Sequence, residues 1–133
     1  MLSRVYSGAV YGVNAYAVEI EVNAVGGEPE FVIVGLPDAA VRESKDRVWT
    51  AIHNAGFRPA PGRNTINLAP ADIKKEGPVY DLPIAAGLIA ATGQAEMPEL
   101  DRYALIGELA LSGEVRRVRG VLPVTLEMRR QGK

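Results

Sequence analysis

Apolar and polar positions alternate early in the chain. From Ala15 to Val25 (AYAVEIEVNAV), Val18, Ile20 and Val22 alternate with Ala17, Glu19, Glu21 and Asn23, the period of a half-buried strand. After the turn residues GGEP, the run Phe31 to Val34 is short, β-branched and stopped by Gly35 and Pro37. The two runs predict a hairpin. The period then lengthens. Asp38, following Pro37, predicts an N-cap, and Val41, Val48, Trp49 and Ile52 fall at near-helical spacing between Ala39 and Ala55. Asn54-Ala55-Gly56 ends that helix.

Phe57 to Arg63 carries two prolines and a glycine and reads as loop, and Asn64 to Ala69 alternates again as a strand. A second helix is predicted from Asp81 to Thr92, with Asp81 as its cap. Its residues Leu82, Ile84, Ala85, Ala86, Leu88, Ile89, Ala90 and Ala91 are apolar nearly all round, so it belongs between the sheet and another helix. Tyr103 to Leu109 predicts a strand, Ser112-Gly113 a tight turn into another, and Val121 to Arg130 a third helix. The order of elements indicates an α+β or mixed α/β domain.

The chain has 133 residues, 47% hydrophobic and 23% charged, with a formal net charge of -1. That predicts one soluble domain, and bulk charge calls for neither nucleic acid nor membrane. Without cysteine there is no disulfide, thiolate nucleophile or cysteine-bound zinc. No signal peptide is read at the N-terminus, and the longest apolar run, Leu82 to Ala91, is too short to span a bilayer. The expected location is the cytoplasm.

Metal and triad chemistry find little support. The single histidine, His53, lies in the last turn of the first helix, where it suits the terminal carbonyls. No phosphate-binding loop, Rossmann fingerprint or Gly-x-Ser-x-Gly elbow occurs. No cofactor is expected in this domain. A Ser-Lys dyad, in which a desolvated lysine activates a serine, is the remaining hydrolytic option.

The stretches KKEGPVYDLPIAAGLIAA and IGELALSGEVRRVRGV bear on that option. With LSRVYSGAVYGVNAYAVEIEV and FVIVGLPDAAVRESKDRVWTAIHNAGF, they resemble the Lon proteolytic domain. The resemblance is closer still to the N-terminal domain of magnesium-chelatase-like AAA+ ATPases of the ComM/YifB type. It covers essentially the whole chain, 1–133, as a single domain.

The resemblance implies a mixed sheet backed by helices with a left-handed βαβ crossover, as in the Lon proteolytic domain and the second domain of a small-subunit ribosomal protein. It also implies that an AAA+ module carrying ATP and Mg2+ follows in a longer protein, and that the whole is a hexameric motor acting on DNA in natural transformation. Alternatives are a chelatase-type subunit or a residual Lon-like peptidase.

Lon enzymes follow Lys-Asp-Gly-Pro with the nucleophilic serine. Here Lys75, Glu76, Gly77 and Pro78 are followed by Val79, and the position matching the Lon lysine holds Leu122. The implied loop is vestigial and the domain non-catalytic. Ser112, Tyr80 and Lys75 are the polar neighbours that could restore a reaction. From Asp101 onward basic residues outnumber acidic ones seven to four, and Arg116, Arg117 and Arg119 form the candidate DNA contact. A solvated strand face or intersubunit ion pairs explain these arginines equally well. No aromatic stacking platform is read beside them.

Overall fold

The computed structural model describes residues 1–59 and 61–133. Four strands form one sheet: β1 (Leu2–Tyr11), β2 (Asn14–Val25), β3 (Glu30–Val34) and β4 (Arg63–Ala69), in the order β1-β2-β4-β3. β1 and β2 are antiparallel from Leu2↔Asn23 to Tyr11↔Asn14, so they form the long hairpin. β4 runs antiparallel to β2 and parallel to β3. The sheet is mixed, with helices packed against it.

The predicted pairing of β2 with β3 is therefore wrong, because β4 lies between them. Pairing supplies the reason. β4 bonds β2 from Glu19↔Ala69 to Val25↔Arg63 along one edge and β3 along the other, with Ile66 and Leu68 fully buried. β3 has no fully buried residue and occupies an edge. Gly35 permits the close passage: at φ 107°, a Cβ there would lie 2.1 Å from the Leu68 carbonyl oxygen.

Helix α1 (Ala39–Asn54) joins β3 to β4. Asp38 caps it as expected, its Oδ1 accepting from Val41 N at 2.8 Å. Val41, Ser44, Val48, Ala51 and Ile52 face the interior, whereas Trp49, expected on that face, is 39% exposed at its border. His53 is exposed in the last turn. Gly56 turns the chain with φ 95°, and Phe57 N closes the end on Ile52 O at 3.0 Å.

Helix α2 (Asp81–Ala91) is the central element and packs on β1, β2 and α1, as its all-round apolarity requires. Gly87 sets the distance to the sheet, since a Cβ there would meet Val22 Cγ2 at 2.6 Å. Fully burying aliphatic side chains such as Ile84 and Leu88 stabilises the domain by roughly 2 kcal/mol each.

Asp81 does not cap this helix. It is the first helical residue, and its wholly buried carboxylate turns toward α1. There it accepts from Ser44 Oγ at 2.5 Å, Arg47 Nε at 2.6 Å and Nη2 at 3.1 Å, and from Leu109 N at 3.0 Å. Hydrogen bonding to Asp81 raises the Arg47 pKa.

The rest of the chain wraps this layer. The strand expected over Tyr103 to Leu109 shrinks to β5 (Glu108–Leu109), paired with β6 (Val115–Arg116), and a lone bridge from Ala104 to Tyr6. The cause is competition for backbone partners: Leu105 N bonds Tyr6 O, Gly107 N bonds Val79 O, and Gly107 O receives Leu82 N. Helix α3 (Val121–Arg130) lies on the hairpin through Val124 and Met128, leaving Val121, Leu122 and Leu126 exposed.

Candidate functional site: a cleft between the hairpin and the last helix

A cleft of about 690 Å³ opens where three distant segments meet. The end of the β1–β2 hairpin gives one wall, with Gly8 to Tyr11 and Tyr16. The loop from Lys74 to Val79 gives the second, together with Asp38. Arg117 to Gly120 and Val124 of α3 give the third.

The loop is fixed from beneath. Lys75 is fully buried, and its Nζ donates to the carbonyls of Gly35 at 2.8 Å, Ile73 at 2.5 Å and Pro70. Its backbone bonds Leu36 O and Asp38 N, both at 2.9 Å. Burial pushes the Lys75 ammonium below the ordinary lysine range, with the Asp72 charge acting in the opposite direction. With Lys75 directed inward, its neighbours Lys74 and Glu76 line the cleft. Asp38 ties the turn to α1, accepting from Gly77 N at 3.2 Å through its second carboxylate oxygen.

The opposite wall depends on close packing. Gly120 precedes α3 with φ 83°, and a Cβ there would lie 2.6 Å from Val10 Cγ2. Gly8 lets Val124 and Met128 approach the sheet.

Of the vestigial loop, Glu76, Gly77, Pro78 and Val79 line the cleft, and Lys75 does not. Leu122 is 68% exposed in the first turn of α3 and lies outside the lining. Arg117 and Arg119 line the cleft. Arg116 does not; on β6 its Nε is 3.9 Å from Glu108 Oε2. The arginine trio is thus divided.

Residues missed from the sequence are Tyr11, Tyr16, Lys74 and Asp38. Tyr11 is 73% exposed at the hairpin end and lines the same cleft as Arg117 and Arg119, so an aromatic surface does accompany them. The available signal was Tyr11-Gly12, an aromatic beside a turn glycine.

The polar neighbours do not assemble into a dyad. Lys75 is engaged by three carbonyls, and Ser112 sits outside the cleft in the β5–β6 turn, accepting from Glu114 N at 3.3 Å. Tyr16 Oη donates to Lys74 O at 3.3 Å. Tyr80 is buried, and its hydroxyl has no hydrogen bond of ordinary geometry among the described residues. The two phenols nevertheless influence each other. Burial raises both pKa values, Tyr80 very strongly, so neither supplies a phenolate near neutral pH. Among the described residues, no cluster of three or more His, Asp or Glu could hold a metal. No helix among them is long and apolar enough to cross a membrane.

The mixed sheet, the buried lysine loop and the cleft before the last helix define a Lon-like α/β domain. Residues 20–133 match the family described as subunit ChlI of Mg-chelatase, and the chain belongs to that magnesium-chelatase-like AAA+ family. It is 48% identical over 125 residues to Competence protein ComM of Haemophilus influenzae, covering 94% of this chain and 25% of the relative. Identity to YifB of Escherichia coli is 46% over 132 residues, covering 99% and 26%. A Lon protease of Chlamydia muridarum is 25% identical over 126 residues, covering 90% and 15%. The chain therefore spans about a quarter of its ComM and YifB relatives.

Proposed function

We propose that this domain is a non-catalytic assembly and DNA-contacting module of an ATP-driven motor. The observation that carries the reading is the make-up of the cleft. Its wall holds Val79 where the Lon resemblance calls for a nucleophile, and Leu122, at the position of the Lon lysine, lies outside the lining. What the cleft offers instead is positive charge. The side chains of Arg117, Arg119 and Lys74 make no hydrogen bond or ion pair among the described residues.

Such groups neutralise backbone phosphates without reading bases. The name of the Haemophilus influenzae relative, a competence protein, agrees with a role in handling DNA during natural transformation. In the longer protein, ATP and Mg2+ act in an AAA+ module, six subunits form a ring in the cytoplasm, and branch migration is the activity. Arg116, paired with Glu108, contributes less to DNA than its two neighbours.

The test is a salt titration of DNA binding by the wild-type chain and by Arg117→Ala/Arg119→Ala. Removing two phosphate contacts lowers the slope of log affinity against log salt by roughly 1 to 2. An unchanged slope and affinity would remove these arginines from the proposal.

A further inference from the structure

The cleft has a feature that phosphate neutralisation alone does not use. We infer that it takes one nucleic-acid strand, with a base laid on the exposed ring of Tyr11 and adjacent phosphates held by Arg117 and Arg119. The inference rests on the DNA-contacting role proposed above and names the form of nucleic acid.

Charge comes first. Arg117 and Arg119 are exposed, lie on one wall and have no partner among the described residues, while Lys74 adds a third cation from the loop. Of the two acidic residues in the lining, Asp38 is engaged by Val41 N and Gly77 N. The three cations outnumber two carboxylates, of which Glu76 is the one not engaged by backbone. The surface therefore suits an anion, and a polyanion more than a single ion, because the cations are spread over two walls.

The aromatic comes second. Tyr11 closes the tip of the hairpin, is 73% exposed and belongs to the same cleft. A single exposed ring is ordinary by itself, and what distinguishes Tyr11 is that it shares this lining with unpaired cations. Tyr16 is different: it is half-buried and its hydroxyl is directed to Lys74 O, so its role is to brace the loop.

An exposed ring beside unpaired guanidinium groups is the combination that binds single strands, where every base offers a face for stacking. A duplex keeps its base faces stacked on each other and offers Tyr11 only backbone. The cleft, open to solvent and walled by hairpin, loop and helix, also favours a strand over a rod.

The experiment measures anisotropy of a labelled oligothymidine and of a labelled hairpin duplex with the 133-residue chain. The variants are Tyr11→Ala, Tyr11→Phe and Arg117→Ala/Arg119→Ala, with thermal unfolding run on each to show that it folds. Tyr11→Ala is expected to weaken strand binding about tenfold, the loss of one stacked base, with duplex binding unchanged. Tyr11→Phe keeps the affinity, because the ring rather than the hydroxyl makes the contact.

Strand binding that needs the arginines but not Tyr11 overturns this inference and leaves the phosphate role standing. So does an equal loss for strand and duplex in Tyr11→Ala. Displacement of the strand by polyglutamate as readily as by unlabelled oligothymidine also overturns it, since it would point to an acidic peptide. Absence of any DNA binding at low salt sinks the underlying role as well.

Discussion

Arg47 holds the buried Asp81 carboxylate in a fork, Nε to Oδ2 at 2.6 Å and Nη2 to Oδ1 at 3.1 Å, and so locks α1 to the start of α2. Asp81 is fully buried, whereas the Arg47 side chain is 21% exposed. Removing one partner leaves the other charge without compensation. Asp81→Ala is expected to destabilise the domain by about 3–5 kcal/mol in urea denaturation. Arg47→Met/Asp81→Leu should recover most of that loss, because neither charge is then stranded. A double variant as unstable as the single one would refute this account.

Lys75 makes stability depend on alkaline pH. Its folded pKa lies below the ordinary 10.5 because burial disfavours the ammonium. Between those two values the unfolded chain binds more protons than the folded one, so this group makes stability rise with pH. The cost of the buried charge is fully present below the folded pKa and relieved as pH approaches 10.5. A heteronuclear NMR titration of Lys75 should give a midpoint below 10.5, and a midpoint at or above it would contradict the burial argument.

The contact of α3 with the hairpin turns on Gly8. A Cβ at that position would lie 2.7 Å from Val124 Cγ1 and 3.2 Å from Tyr16 O. Gly8→Ala should cost roughly 1–3 kcal/mol through overpacking. Val124→Ala removes the clashing methyl, so the double variant should be more stable than Gly8→Ala alone, as read by thermal unfolding. If the two effects simply add, the clash is not with Val124.

Peptide hydrolysis should be absent from the wild type, and installing a nucleophile alone should not supply it. Val79→Ser places a hydroxyl on the cleft wall, but Lys75 remains tied to three carbonyls. Without a base within reach, the hydroxyl stays unactivated. A fluorogenic peptide assay should show both proteins at the blank rate, and turnover by either would contradict the assignment.

Local signals in the sequence proved reliable where the partner was local. Asp38 as a cap bonds its own helix three residues on, and α2 was legible because apolarity on every face admits no other place. The errors came from partners distant in the chain. β2 and β3 are adjacent in sequence, but β4, less apolar in composition yet with Ile66 and Leu68 fully buried, took the position between them. Asp81 occupies a capping neighbourhood, yet α1 offers it Ser44 and Arg47. Of the site, the loop at Lys75 to Val79 and the arginines could be read. That Tyr11 shares a cleft with Arg119 could not, since only the docking of α3 on the hairpin brings them together.

The hairpin from the beginning of the chain and the helix from its end are both walls of the cleft. Between them the middle segment supplies the loop and Asp38. The site therefore does not exist until α3 has docked on the hairpin, and a partly folded form with either element loose lacks it. Occupancy of the cleft is in this sense a certificate of docking, issued only when hairpin and helix have met.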